Sequence, residues 1–280
     1  MDLPEEIRGG FAKRPADANK YTVGTVAVVG GSFRYPHAPV IAGLGARAAG
    51  AGLVQLIVPD ASRFAAAAWT PEATLSELGE TCEIPAADVT VAGMGLGLSE
   101  RSEAVVSRLL SGPCGRLVLD ADALTILAAS HGRVVGGGPA DGRELVLTPH
   151  EGEAARLLGW KRGRACEDRL AAAREIAGRY GATVVLKGPE TLVVSADGAR
   201  VYRNATGNPF MALGGMGDLL AGVVGARWAY LKGDPFIAAA ASVWMHGAAS
   251  DELVAESADP SVVHTAEKIG SLRVRFDRGL

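Results

Sequence analysis

Short, nearly continuous runs of apolar residues recur along the chain at Val23–Val29, Leu53–Val58, Asp88–Ala92, Arg116–Leu119, Glu144–Leu147 and Thr183–Leu186. A strand buried on both faces of a parallel sheet shows no alternation, so such runs predict interior strands. Between them lie alanine-rich segments with helical spacing, at Val40–Ala51, Glu100–Leu110, Asp122–Ala129 and Glu167–Tyr180. The alternation describes repeated βα units and a doubly wound α/β sheet. Thr191–Ser195 and Arg200–Arg203, parted by Ala196-Asp197-Gly198, predict a hairpin, because Asp-Gly is a favoured two-residue turn. The chain then turns helical over Asp218–Leu231 and Pro235–Ala255. In the first of these, Leu219, Leu220, Val223, Val224, Trp228 and Leu231 fall on one face. The N-terminal segment and the tail after Asp259 carry no clear period.

A chain of 280 residues allows one large domain or two small ones. No Pro- or Ser-rich linker, charge block or internal repeat divides it, and Gly136-Gly137-Gly138-Pro139 reads as a surface loop because strand patterning resumes at once. A single domain over 1–280 is expected. Hydrophobic residues make up 48%, enough for a sizeable core. The net charge of −3 gives no basic excess for nucleic acid. Cys82, Cys114 and Cys166 form neither a zinc pattern nor a disulfide framework, which suits a reducing cytoplasm. The acidic N-terminus lacks the layout of a signal peptide, and the apolar stretch from Phe236 to Ala249 is too short to span a membrane and carries His246.

Glycine is the outlier: its 37 residues are near twice the usual share of about 7%. The richest cluster is Gly214-Gly215-Met216-Gly217-Asp218, preceded by Asn204-Ala205-Thr206-Gly207-Asn208-Pro209 and followed by the predicted helix. Free amides and the positive dipole end at that helix start favour an anion, and the missing side chains let a phosphate approach. Asp218 lies in the first turn. Beside a phosphoryl group its carboxylate would orient a hydroxyl and accept the proton as transfer proceeds; the plainer reading is that Asp merely opens the helix.

Other signals have structural readings of equal weight. Gly30-Gly31-Ser32 and Gly93-Met94-Gly95-Leu96-Gly97 each follow a strand and serve either a nucleotide or a tight βα turn. In Thr148-Pro149-His150-Glu151, Thr148 as N-cap, Pro149 at N1 and Glu151 at N3 would make a capping box, leaving His150 unexplained. Asp122 reads as an N-cap, Asp120 as a possible aid to a metal, and Lys187-Gly188 as a phosphate contact or a solvated turn. The glycine-bearing helix Val40–Ala51 is expected to pack tightly on the sheet.

The ordered set resembles the ADP/ATP-dependent NAD(P)H-hydrate dehydratase family, of ribokinase-like fold. It comprises Val29-Gly30-Gly31-Ser32, Ala38-Pro39, Ala48–Val54, Gly95-Leu96-Gly97 and Leu119–Leu124, then Leu147-Thr148-Pro149-His150 with Gly152-Glu153, Val185–Gly188, Gly207-Asn208-Pro209 and Gly214–Asp218. The resemblance runs from about Val23 through the Pro235–Glu256 helix. It implies a three-layer αβα fold with a central, mostly parallel sheet. It also implies phosphorylation of the ring hydroxyl of (S)-NADH-hydrate or (S)-NADPH-hydrate from ADP or ATP, after which phosphate elimination restores the reduced dinucleotide. By position, Ala38, Gly97, His150 and Asp218 would contact the hydrate, with Asp218 catalytic. Lys187, Gly188, Pro189, Glu190, Thr191, Asn208, Gly214, Gly215 and Gly217 would hold the nucleotide. Mg2+ would bridge the donor phosphates with no protein metal ligand assigned. A separate epimerase acting on the same metabolite is implied, since only about twenty residues precede the first strand, as is a cytoplasmic homo-oligomer; helices near Trp228 and Trp244 fit either an oligomer face or the core.

Departures from the family's pattern are Phe33-Arg34-Tyr35-Pro36-His37 in place of small residues, Met94 for proline, Thr125 for asparagine, and Glu151, which adds negative charge near an anionic substrate. Two other readings use the same residues. One is a small-molecule kinase of the same superfamily, such as a hydroxyethylthiazole-type vitamin-precursor kinase. The other is a nucleotide-binding sensor without turnover, against which Asp218 argues.

Overall fold

Strand β1 (Thr25–Val29) lies between β2 (Leu53–Val58) and β4 (Val89–Ala92), all three parallel. The computed structural model describes residues 3–69, 72–79, 83–112, 115–130, 143–161 and 163–278. Outside β2 comes β3 (Ala73–Glu77); beyond β4 follow β5 (Arg116–Leu119), β6 (Glu144–Leu147) and β7 (Thr183–Leu186), still parallel. The short strands β8 (Leu192–Val194) and β9 (Val201–Arg203) complete that edge antiparallel, so the described order is β3-β2-β1-β4-β5-β6-β7-β8-β9. Strand order reverses between β1 and β4, and the loops leaving their carboxyl ends flank the crevice where open α/β sheets take ligands.

The interior strands are apolar without a break because each alternate residue enters a different core. Val26 and Val28 join a core formed with α1 (Ala38–Ala48), α8 (Met216–Leu231), α9 (Pro235–Ala255) and α10 (Val262–Arg278). Ala27 and Val29 join the opposite core with α3 (Glu100–Ser111), α4 (Asp122–Ala129), α5 (Glu151–Leu158) and α7 (Arg169–Tyr180). This is the expected three-layer αβα arrangement. The short helix α6 (Arg164–Glu167) and the helix α2 (Asp60–Trp69), which precedes β3, complete the described set.

Three details depart from the sequence reading. Helix α8 is buried around nearly its whole circumference rather than along one stripe, because the sheet, α1 and α9 all pack on it. Its approach to α1 needs glycine: a Cβ on Gly45 would fall 2.2 Å from the Leu219 carbonyl, and one on Gly222 would fall 1.9 Å from that of Ala42. Trp228 and Trp244 are core residues, Trp244 lying edge-on to Phe11 and Phe276, so neither offers an oligomer face. The β8–β9 turn is longer than two residues, since Ser195 N–H bonds the Arg200 carbonyl and the Ser195 hydroxyl accepts Arg200 N–H. The Gly136–Pro139 loop, Cys82 and Cys114 lie outside the described residues.

Candidate active site

Helix α8 begins beneath the carboxyl ends of β4, β5 and β7, and its first turn carries Gly217 and Asp218. Gly215 makes that start, as an N-cap in the left-handed region (φ +92) packed against Ile41 and Val262. Gly217 faces the residues that follow β5 and β7. A Cβ there would stand 3.2 Å from Lys187 Nζ and 3.9 Å from Asp120 Oδ2. The free amides of the first turn therefore open beside an ammonium group, a geometry suited to phosphate.

Lys187 ends β7 with its Nζ 2.6 Å from Asp120 Oδ1 and 3.9 Å from Glu153 Oε2. Burial works against its charge, but Asp120, Glu153 and then Asp218 outweigh that, and its pKa lies above the usual lysine value. It is thus a fixed cation at neutral pH. Asp120, 1% exposed, is spent on this ion pair, so the structure favours a lysine anchor over the metal aid considered from sequence.

The segment Asp120-Ala121-Asp122 is held under strain. Ala121 takes φ +51, which costs an L-residue about 1–3 kcal/mol, and a Cβ on Gly93 would fall 2.0 Å from the Asp120 carbonyl. The strained turn sends the two carboxylates apart: Asp120 to Lys187, Asp122 to the amide of Gly97, whose N lies 2.8 Å from Oδ2. Asp122 is therefore not the N-cap of α4; Ala121 is. Gly97, at φ +79, has open space where a Cβ would be, and two residues earlier a Cβ on Gly95 would stand 3.0 Å from that of Ala38.

His150 supplies the clearest correction. It is the N-cap of α5, its Nδ1 accepting N–H bonds from Gly152 (3.0 Å) and Glu153 (3.2 Å), while Glu153 Oε2 accepts His150 N–H at 2.8 Å. The capping box is thus His150 and Glu153, not Thr148 and Glu151. Thr148 instead belongs to the strand end, where its N–H and hydroxyl both bond the Leu119 carbonyl. With Nδ1 an acceptor, the ring proton sits on Nε2, 3.3 Å from Glu153 Oε1. His150 is locked as a donor and is not a general base.

Two carboxyls stand apart electrostatically. Burial first, then the nearby Asp120, pushes Asp218 up to about 7 despite Lys187. Glu153, 6% exposed, is likewise pushed to about 7 by burial, with Lys187 opposing and Asp120 adding to the rise. Among the described residues no hydrogen bond or ion pair engages the Asp218 carboxylate. It is half-buried, near neutrality in its titration and unengaged, which are the properties of a general base.

Beside the Gly217–Lys187 corner opens a cavity of about 490 Å3, walled by the β7–β8 turn, the loop from Asn204 to Ala212, and α8 and α9. Of the residues expected at a nucleotide, Lys187, Gly188, Pro189, Thr191, Asn208 and Gly217 line it. Glu190, Gly214 and Gly215 do not; Glu190 contributes its carbonyl to Arg169 Nη1. Asn208 spends its amide internally, Oδ1 on Phe210 N–H and Nδ2 on Asp251 and Ser250. Arg169, not singled out from sequence, ties down the turn by also bonding the carbonyls of Leu186 and Lys187, and it pairs with Glu151 at 3.2 Å. The extra negative charge of Glu151 is thereby matched. Met211, Met216, Leu220 and Val243 give the cavity its apolar wall, which sequence spacing did not reveal because they come from three separate elements.

Comparison with known proteins gives one consistent answer. The family profile described as NAD(P)H-hydrate dehydratase matches residues 26–270. The "ADP-dependent (S)-NAD(P)H-hydrate dehydratase" of Neisseria meningitidis is 41% identical over 252 residues, covering 89% of this chain and 83% of its own. The "Bifunctional NAD(P)H-hydrate repair enzyme Nnr" of Gloeobacter violaceus is 40% identical over 90% of this chain but only 50% of its own, so the chain spans about half of that longer relative. Among solved structures, the ADP/ATP-dependent NAD(P)H-hydrate dehydratase of Bacillus subtilis, co-crystallised with ATP/Mg2+, superposes with a TM-score of 0.85 at 28% identity, covering 99% of each chain.

Proposed function

The chain belongs to the NAD(P)H-hydrate dehydratase family, with its ribokinase-like fold, and from that membership we propose that it converts (S)-NADH-hydrate and (S)-NADPH-hydrate back to NADH and NADPH at the expense of ADP or ATP. The observation that supports this most is the unengaged Asp218 carboxyl beside the Gly217–Lys187 corner, titrating near 7.

The chemistry follows from that placement. Hydration has put a hydroxyl and a hydrogen across a ring double bond, so repair must remove both. The hydroxyl oxygen attacks the terminal phosphorus of the nucleotide, Asp218 takes the hydroxyl proton, and the nucleotide leaves one phosphate shorter. The Lys187 ammonium and the amides at the start of α8 steady the charge on the transferred group. The new oxygen–phosphorus bond turns the hydroxyl into a phosphate leaving group; cleavage of the ring carbon–oxygen bond then releases phosphate, and loss of the proton from the neighbouring carbon restores the double bond. Ala38, Gly97 and His150 line the hydrate side: Gly97, held by Asp122, leaves room for the ring, and His150 donates through an Nε2–H that it shares with Glu153 Oε1 at 3.3 Å.

Magnesium is assigned to the phosphates of the donor rather than to a protein cage. A cytoplasmic site of action, a homo-oligomeric assembly and a separate epimerase acting on the same metabolite complete the reading. Among the described residues no helix is long and apolar enough to cross a membrane. The test is direct: hydrated NADH or NADPH is supplied with ADP or ATP and recovery of the reduced-nicotinamide absorbance is followed. Recovery supports repair, whereas nucleotide consumption only with a vitamin precursor would favour the kinase reading.

A further inference from the structure

One group on the wall of the 490 Å3 cavity is left unused by the chemistry above. His246 projects from α9, is 6% exposed, and has no hydrogen-bond partner for its Nε2. Its surroundings make that orphan unusual. The loop facing α9 spends its polar groups fully: Asn204 Nδ2 on the Val243 and Thr206 carbonyls, the Thr206 hydroxyl on the Trp244 carbonyl, and Gly207 N–H on Asp251. The loop is also seated as closely as the chain allows, since a Cβ on Gly247 would fall 2.3 Å from Thr206 Oγ1. Against these pairings, one buried imidazole nitrogen without a partner carries an uncompensated desolvation penalty and calls for an occupant that fills it.

The character of the group narrows the occupant. Burial first, and then the Lys187 ammonium, hold the His246 pKa down at about 4, so the ring is neutral under physiological conditions. A neutral imidazole offers one donor and one acceptor and no charge. Phosphate in the cavity is already served by Lys187 and the amides of α8. The part of a nucleotide that gains from a neutral partner between the apolar side chains of Leu220 and Val243 is its sugar and base.

We propose that His246 is a nucleoside-recognition residue, hydrogen-bonding the ribose or base of the phosphoryl donor while Lys187 and Gly217 hold its phosphates. The inference rests on the assignment of this cavity to the nucleotide.

Calorimetric titration of the whole protein with ADP and with inorganic pyrophosphate tests it. His246→Ala should weaken ADP about tenfold, the equivalent of about 1.4 kcal/mol, and leave pyrophosphate unchanged. His246→Gln, which restores a neutral donor and acceptor, should recover most of the loss. Thermal melting shows whether either variant is folded; if His246→Ala melts early, the decision passes to His246→Gln and to wild-type protein titrated with 2′,3′-dideoxy and base-modified ADP, which separate ribose from base. An equal loss for ADP and pyrophosphate, no loss for ADP, or full wild-type tolerance of every modified nucleoside would overturn the proposal. A Gly217→Val variant distinguishes the two levels. If it abolishes ADP binding while His246→Ala does not weaken it, only this inference fails; if it leaves ADP binding intact, the cavity assignment fails as well.

Discussion

Lys187 Nζ lies 2.6 Å from Asp120 Oδ1 and only 3.2 Å from where a Cβ on Gly217 would stand. One carboxylate thus fixes a cation against the backbone of a helix start, and the absent side chain keeps that corner open. Gly217→Ala separates the two roles of this residue. Alanine suits a helix, so the melting temperature should hold or rise, whereas the added methyl crowds the phosphate position and should weaken ADP about tenfold. Calorimetry with a parallel melting curve checks both; unchanged ADP affinity would place the phosphates elsewhere.

His150 caps α5 through Nδ1, and its Nε2 lies 3.3 Å from Glu153 Oε1 at the edge of the hydrate side. Asparagine can replace the cap but cannot reach as the outer nitrogen does. His150→Asn should therefore cost less than about 0.5 kcal/mol in stability while raising KM for the hydrate several-fold and sparing KM for the nucleotide. His150→Ala should add the loss of a cap, about 0.5–2 kcal/mol. Denaturant unfolding and steady-state kinetics on both variants read out the separation, and a larger effect on nucleotide than on hydrate would contradict the placement.

The pH dependence has a definite sign. Asp218 must be ionised to accept a proton and titrates near 7, so kcat should rise about tenfold per pH unit below 7 and level off above it. For stability the sign reverses. A carboxyl whose pKa is raised on folding binds more protons folded than unfolded between about pH 4 and 7, so its contribution falls as pH rises through that window. Asp218→Asn removes this penalty. The variant should melt higher than wild type at pH 8, with the gap shrinking as pH falls and closing near pH 4, measured by calorimetric scans of the ligand-free protein.

Much of the architecture was legible because continuous apolar runs have one economical home, a strand buried on both faces. That reasoning finds β1, β2, β4, β5, β6 and β7. It misses β3, whose Ala73–Glu77 residues are largely exposed at the sheet edge, and α10, whose short apolar stripe is broken by charges. It also misreads α8 as amphipathic, since Gly222 and Gly225 hide a second buried face made of backbone. At the site, the places of Asp218 and Lys187 at element ends were legible in the sequence, while the roles given to them belong to the proposed function. The pairing of Asp120 with Lys187, the Asp122–Gly97 bond and the His150–Glu153 box join residues from separate βα units or swap roles within one turn. Residue spacing along a chain carries no signal for such contacts.

The role of Asp218 is tested most directly by comparing wild type and Asp218→Asn in one assay of (S)-NADH-hydrate with ADP and Mg2+, with recovery of reduced-nicotinamide absorbance as the signal and ADP affinity measured alongside. The account predicts recovery in the wild type, a rate 10²–10⁴-fold lower in the variant, and ADP affinity within a few-fold of wild type. A variant that restores NADH at the wild-type rate would show that the proton goes elsewhere.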